Sequence, residues 1–325
     1  MAGRAVASNS VIDRATDRTR TIRLRRIAGF PTTIHPPCRL ALIGINYQSI
    51  EQSGGTLPNG TATNPSNARV AKGVPRVFIA ASTRSLATEP FEAACAQITE
   101  LEYDKIEIWL DENSSHLKPS HVANDPEQFF AQYRDKCRLS PCAFYLEHDV
   151  PTNVFEGLCK AAKLMRIMQL TIPAGPLGTP FNTEIDRLRE AVRLANIEGV
   201  RVSLKTRTGD LTEDPHTAVE LCQSVPGLGL TLDPSYYICG PNKNKSYDQV
   251  FPYVFHVHLR DTTPDQLQVQ IGLGEIDYSR IINQLKQRNY NRALSVDLLA
   301  EDPSAPPLNR GLEMRKLRML LDTLL

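Results

Sequence analysis

The chain predicts a single (β/α)8 TIM barrel preceded by an extension that does not fold with it. Three observations carry that expectation. From Arg76 onward, short apolar runs alternate with helically spaced segments about eight times over roughly 250 residues, the count and size of such a barrel. The apolar fraction of 41% over 325 residues is enough for one large core. No glycine-rich phosphate loop follows the first apolar run, which argues against an open doubly wound sheet. The expected division is therefore residues 1–75, a disordered or weakly ordered N-terminal extension, and residues 76–325, the barrel.

The extension differs in composition. Arg4, Arg14, Arg18, Arg20, Arg23, Arg25 and Arg26 make its start basic, and Ser53 to Asn67 is rich in Gly, Thr, Asn and Pro. Such a stretch buries too little apolar surface to fold alone. Its Arg-rich, acid-poor start distantly resembles a transit peptide, but the preferred reading is a plain extension of a cytoplasmic protein. A formal charge of +1 gives no global attraction to nucleic acid or anionic membranes, and no apolar run has the length of a membrane span. The cysteine count is 7 with no Cys-x-x-Cys pair, which reads as reduced thiols and argues against a structural zinc site.

The elements follow in order. Val77–Ala81 reads as the first buried strand, and Pro90–Leu101 as its helix, with Phe91, Ala94, Cys95, Ile98 and Leu101 on one face. Lys105–Leu110 is the second strand; Pro126–Cys137 is its helix, with Asp125 as N-cap. Ala143–Leu146 and Val154–Leu164 form the third pair, Arg166–Ile172 and Thr183–Ile197 the fourth. Gly199 ends that helix and Val200–Lys205 is the fifth strand. Asp214 caps a helix running to Val225, with Pro215 in the first turn. Leu228–Leu232 is followed by a short helix near Tyr247–Tyr253, and Val254–Leu259 by Tyr278–Arg288. Ala293–Leu298 and the closing helix Leu308–Leu325 complete the set.

In a barrel of this kind, residues at the carboxyl ends of the strands build the functional face. Here they are Ser82, Thr83 and Arg84; Glu107 and Asp111; Glu147 and His148; Thr171 and Pro173; then Lys205, Thr206 and Arg207. The last strands add Asp233, Tyr236 and Tyr237, His256 or His258 with Arg260 and Asp261, and Asp297. This collection suits a small, hydroxyl-rich or anionic ligand.

Four motifs carry a resemblance. Leu-Thr-Leu-Asp233-Pro-Ser-Tyr, His256-Val-His258-Leu-Arg-Asp, Gly272-Leu-Gly274-Glu-Ile-Asp277 and Leu294-Ser-Val-Asp297 stand in order and at spacing. Together they resemble the sugar phosphate isomerase/epimerase family of xylose isomerase-like barrels, which also includes endonuclease-IV-like enzymes. Phe78 to Arg84 and Asp104 to Glu107 are similar to its first two strands, so the resemblance spans about Arg76 to Leu325.

The resemblance implies a divalent metal held by a Glu after strand five, an Asp after six, a His after seven and a Glu after eight. Asp233 and His258 match the Asp and the His. Asp297, a shorter carboxylate, stands at the second Glu position, and Tyr236 at a place where a His often follows the Asp. Lys205 stands at the first Glu position. An ammonium has no lone pair for a metal and repels one. The expected cofactor is therefore none, or a weakly held manganese, magnesium or zinc ion on Asp233, His258 and Asp297, with Lys205 otherwise pairing with the two aspartates in place of the metal.

The function expected is an isomerase or epimerase moving a proton beside the carbonyl of a small sugar or sugar phosphate. Asp297 would be the base, Lys205 the electrostatic stabiliser, and Glu107 an orienting carboxylate unless it pairs with Arg84. His148, Arg207, Tyr236, Arg260 and His256 are candidate substrate contacts. The bland counterparts are a solvent-facing His148, Arg207 paired with Asp210, Arg260 paired with Asp261, and one of the two histidines packed lower in the barrel. Gly272-Leu-Gly274 reads as a mobile loop, and Trp109 as either a stacking platform or core. The alternative function is a sugar-binding or scaffold barrel that has lost its metal and its catalysis. A nucleic-acid enzyme of the endonuclease-IV type needs more histidine and carboxylate ligands than these strand ends supply, and nothing in the chain speaks against a homo-oligomer.

Overall fold

A computed structural model describes residues 77–299 and 307–325. The expectations for residues 1–75 lie outside the described residues. Eight parallel strands close into a barrel in sequential order, with the first paired to the last: β1 Phe78–Ser82, β2 Lys105–Leu110, β3 Ser140–Leu146, β4 Gln169–Ile172, β5 Arg201–Lys205, β6 Leu228–Leu232, β7 Val254–Leu259 and β8 Ala293–Val296. The helices are α1 Phe91–Glu100, α2 Pro119–Asn124, α3 Pro126–Lys136, α4 Thr152–Leu164, α5 Phe181–Ile197, α6 Pro215–Ser224, α7 Ser235–Ile238, α8 Tyr278–Lys286 and α9 Arg310–Leu324.

Alternation along the strands divides the chain into two environments. Ile106, Ile108 and Leu110, like Leu228, Leu230 and Leu232, belong to the hydrophobic core shared with the helices. Their neighbours of opposite parity carry polar groups: Glu107, Ser203, Lys205, Thr231, His256, His258 and Ser295 are all buried. Barrel interiors are ordinarily filled by branched aliphatic side chains. This one is filled by hydrogen-bonded polar groups.

The caps expected from sequence are present. Asp125 accepts a hydrogen bond from Gln128 N at 2.9 Å, and Asp214 from Thr217 N at 3.0 Å. Three local departures have physical reasons. Helix α2 escapes a periodicity reading because it has only 6 residues, opened by Pro119. Strand β4 starts at Gln169 rather than Arg166, because Arg166 at φ 59° and Ile167 N, bonded to Ala162 O at 2.8 Å, close the end of α4. The helix expected at Tyr247–Tyr253 is a tighter 3-10 turn over Asp248–Tyr253, with Pro252 inside it.

Two register shifts fall at site residues: β3 carries an extra residue, Cys142, opposite the step from Ile106 to Glu107, and the other is in β7. Leu230 lies opposite Val254 but Thr231 lies opposite His256, so Phe255 is an extra residue in β7. Its ring lies against Gly229, where a Cβ would come within 2.3 Å of it. A side chain there would contest the bulge that sets which face His256 and His258 occupy. Gly229→Ala is expected to cost about 1–3 kcal/mol through overpacking, read as a lower urea midpoint with unchanged slope. An unchanged midpoint would show that the Phe255 ring moves freely.

Candidate active site at the barrel centre

The strand ends deliver a closed charge cluster. Lys205, 1% exposed at the end of β5, places Nζ 2.8 Å from Asp233 Oδ2 and 3.2 Å from Asp297 Oδ2. It also contacts His258 Nδ1. Arg260 crosses the same pair: Nη2 is 2.7 Å from Asp233 Oδ2 and 3.0 Å from Asp297 Oδ2, Nε donates to the Asp297 carbonyl at 2.9 Å, and Nη1 donates to Ser235 Oγ at 2.9 Å. Arg84 Nη1 approaches Asp297 Oδ2 at 3.4 Å. Asp233 Oδ1 accepts from the Ser235 hydroxyl, and its backbone N–H donates to Thr206 Oγ1 at 2.8 Å.

Below this layer, Glu107 is the counter-ion of His258. Its Oε1 lies 2.8 Å from His258 Nε2, and its Oε2 accepts from Ser295 Oγ at 2.6 Å. His256 Nε2 lies 3.1 Å from Glu107 Oε1 but off the direction of a hydrogen bond. A ladder of small polar groups continues downward, with Thr171 and Thr231 hydroxyls 2.8 Å apart and Ser203 Oγ 2.6 Å from Thr231 Oγ1. Two tyrosines flank the ammonium, with Lys205 Nζ 5.3 Å from the Tyr145 ring centroid and 6.0 Å from that of Tyr236.

Charges and pKa shifts agree on a locked network. Burial pushes Asp297 up, but Lys205, His258 and Arg84 hold it well below the usual carboxylate range. Burial also raises Asp233 and Glu107, and Arg260 with Lys205 in one case and the two histidines in the other bring them below their ordinary values. Burial lowers His256 despite Glu107. His258 is raised, because Glu107 and Asp297 outweigh burial and the opposing Lys205. Its Nδ1 therefore has two uses: neutral, it accepts from Lys205; protonated, it donates to Asp297 Oδ2, which lies 3.2 Å away.

Around the mouth, Arg84 Nε pairs with Glu147 Oε2 at 3.1 Å, and Trp109 Nε1 donates to the same oxygen at 2.9 Å. Arg207 Nη1 reaches Glu147 Oε1 at 3.2 Å while its Nε pairs with Asp210 at 2.8 Å. The structure thus brings together Lys205, Asp233, His258, Asp297, Arg260 and Glu107, with His256 beneath and Tyr236 and Arg207 above. It does not bring in His148, whose side chain is 57% exposed with Nε2 3.8 Å from Asp111 Oδ1.

Several pairings differ from expectation. Glu107 pairs with His258 rather than Arg84, because it points into the barrel below the level Arg84 reaches. Arg260 pairs with Asp233 and Asp297 rather than Asp261, since it shares the inward parity of His258. Asp261 instead accepts from Gly272 N at 2.8 Å and Gly274 N at 3.1 Å, so the glycine stretch read as a mobile loop is anchored. A Cβ on Gly274 would lie 2.0 Å from Asp261 Oδ1. No motif in the sequence singles out Tyr145, which the structure places against Lys205. Its signal was parity, since it lies two residues before Glu147 on β3.

Among the described residues, two groups have ligand atoms close enough together to hold a metal: Glu107, His256 and His258, and Asp233, His258 and Asp297. The second group does not fit a divalent ion in this arrangement, because Lys205 Nζ already lies between its ligand atoms. The first has its carboxylate engaged by His258 and Ser295. Lys205, Arg84 and Arg260 pair with Asp233 and Asp297, and His258 with Glu107, so each buried carboxylate of the centre has a protein counter-group.

With that geometry, the comparisons place the chain. The family model for xylose isomerase-like TIM barrels matches residues 149–318. The chain belongs to that family. A search of curated proteins gives no match. Among solved structures, a D-allulose 3-epimerase from Methylomonas sp. in complex with D-allulose is similar at TM-score 0.61 and 13% identity, covering 77% of this chain and 98% of its own. A xylose isomerase-like TIM barrel protein from Mycobacterium smegmatis in complex with magnesium gives 0.59 and 15%, covering 76% and 97%. The probable 3-DHS dehydratase AsbF from Bacillus anthracis gives 0.58 and 16%, covering 75% and 98%. At these identities the likeness concerns the fold.

Two outcomes follow for the cluster. Carboxylates held below their ordinary values contribute stability that is fully present above pH of about 4 and lost as pH falls through their folded values. The melting temperature is therefore expected to fall most steeply below that pH, and a flat profile from pH 5 to 3 (roughly the span around ordinary carboxylate values) would contradict the network. Lys205→Met leaves Asp233 and Asp297 short of a counter-charge and is expected to cost about 3–5 kcal/mol in chemical unfolding. A loss under about 1 kcal/mol would mean the pair is solvated, as exposed pairs are.

Proposed function

We propose that this family member is a metal-independent barrel that binds a small sugar or related polyol at its mouth and does not turn it over. The observation that carries the reading is Lys205 Nζ between Asp233, His258 and Asp297, where the family resemblance calls for an ion. An ammonium there supplies positive charge without the open coordination positions through which a metal polarises a carbonyl. Asp297, held far below the usual range by three cations, is a poor proton acceptor for carbon acids near neutral pH.

The ligand class rests on the rim. Arg84, Glu147 and Arg207 offer charged donors and acceptors around Trp109 and Tyr236, the composition of a site for hydroxyl groups. D-allulose in the Methylomonas epimerase supports the same class. Arg207 and Tyr236 are proposed as contacts, while His148, which the structure leaves outside the site, is not; Arg260 and His256 are proposed to hold the centre together instead.

A second reading, the isomerase or epimerase, is favoured by one observation. Asp297 Oδ1 and the Tyr145 hydroxyl are buried without a hydrogen-bond partner, so one carboxylate oxygen is free to take a proton and one hydroxyl to give one. Metal analysis, calorimetry and solvent-deuterium exchange over a panel of ketoses and their phosphates separate the two. The expected result is saturable binding of a sugar with neither exchange nor stoichiometric manganese, magnesium or zinc. Exchange beside the carbonyl would establish the isomerase reading, and tightly bound metal would overturn the role given to Lys205. Lys205→Glu is expected to create manganese binding that the parent lacks, since it vacates the ion position and adds a carboxylate ligand.

A further inference from the structure

A separate cavity lies at the opposite end of the barrel from the Lys205 cluster, where β7 and β8 begin and the chain leaves α8. Its volume is about 130 Å³, and Arg288, Asn289 and Arg292 line it together with Phe251, Phe255 and Tyr290. That volume falls below the range of whole small-molecule pockets, so the space suits one compact group. The guanidiniums stack on the rings. Arg288 Cζ lies 5.7 Å from the Phe251 centroid, and Arg292 Cζ lies 4.9 Å from that of Phe255 and 6.0 Å from that of Tyr290. Stacking covers the guanidinium faces and leaves their N–H edges for a ligand.

Positive charge is left over here. No acidic residue lines the cavity. Arg288 Nη1 donates to Gln284 Oε1 at 2.6 Å and to the Gln284 carbonyl at 2.9 Å, both neutral acceptors. The half-buried Arg292 side chain has no hydrogen bond and no ion pair among the described residues, and neither has that of Arg201, half-buried at the start of β5. Burial lowers the pKa of Arg292, the charge of Arg201 lowers it further, and only the Tyr290 phenol opposes them. Elsewhere in the barrel, Arg84, Arg187, Arg207 and Arg260 each face a carboxylate. A half-buried guanidinium that faces like charge instead gains from an anion brought to it.

We propose that this cavity binds a phosphate group between the guanidinium edges of Arg288 and Arg292. The planar forks match the oxygens of a phosphate two at a time, and a dianion balances two cations that have no carboxylate of their own. Arg201 adds to the attraction through its charge. The phosphate is either the free inorganic ion or the head of an ester whose body extends out of the cavity. The site lies at the other end of the barrel from Lys205, so it and the function proposed above stand or fall separately.

The test is a calorimetric titration of the full chain with inorganic phosphate and with methyl phosphate, against chloride at equal ionic strength. Neither probe carries a sugar. Saturable one-to-one phosphate binding is expected. Equal or tighter affinity for the ester assigns the site to a phosphorylated molecule, and binding of inorganic phosphate alone assigns it to the free ion. Arg288→Gln and Arg292→Gln are each expected to weaken binding about ten- to a hundredfold, the worth of a charge-assisted hydrogen bond. Arg201→Gln is expected to weaken it only about two- to fivefold, as a charge acting without contact. Arg292→Gln also removes the repulsion from Arg201, so its melting temperature without phosphate is expected not to fall, which separates lost binding from lost folding. No phosphate binding beyond that of chloride, or binding that survives in the double variant Arg288→Gln/Arg292→Gln, would each overturn the proposal. The exposed Arg288→Gln decides the matter even if Arg292→Gln does not fold.

Discussion

The contact on which the barrel centre depends is the Lys205 ammonium between Asp233 and Asp297. Two aspartates brought to the same point at essentially zero exposure would repel, and each would lose its hydration. The ammonium and the Arg260 guanidinium, placed by strands five and seven, make their convergence tolerable. Every other feature of the centre follows from that pairing: Tyr145 and Tyr236 offer their faces to the cation, Ser235 takes the outer oxygen of Asp233, and His258 hands the charge downward to Glu107.

The pairing explains why the inside of this barrel is polar to such depth. Once Glu107 is committed to His258, its second oxygen needs a donor, and Ser295 gives one. Thr171, Thr231 and Ser203 satisfy one another beneath. Apolar burial is displaced outward, to the layer between strands and helices where Ile108, Leu204, Leu230 and Val257 pack. A half-satisfied polar interior is costly, whereas a connected one specifies a single arrangement. The few orphaned atoms, among them Asp297 Oδ1 and the Tyr145 hydroxyl, therefore stand out.

Membership in the xylose isomerase-like family establishes the scaffold. It does not carry a reaction, because function lives in the residues at the strand ends. Here the same four strand ends converge as a family metal site would, yet one contributes a cation.

Much of this was legible in the chain. Strand–helix alternation and caps such as Asp125 and Asp214 are local properties, so the barrel and most element limits could be read directly. The motif order pointed to Lys205, Asp233, His258 and Asp297, because residues at strand ends share one face whatever the loops do. Partner choice was not legible. Arg260 has Asp261 beside it in sequence, but the inward parity of β7 sends its side chain across the barrel to Asp233 and Asp297. Glu107 and His258 are 151 positions apart and meet only because the sheet closes. Composition and period determine which residues face inward; closure of the ring decides which of them touch, since that depends on register and on bulges at Cys142 and Phe255 that no local pattern encodes.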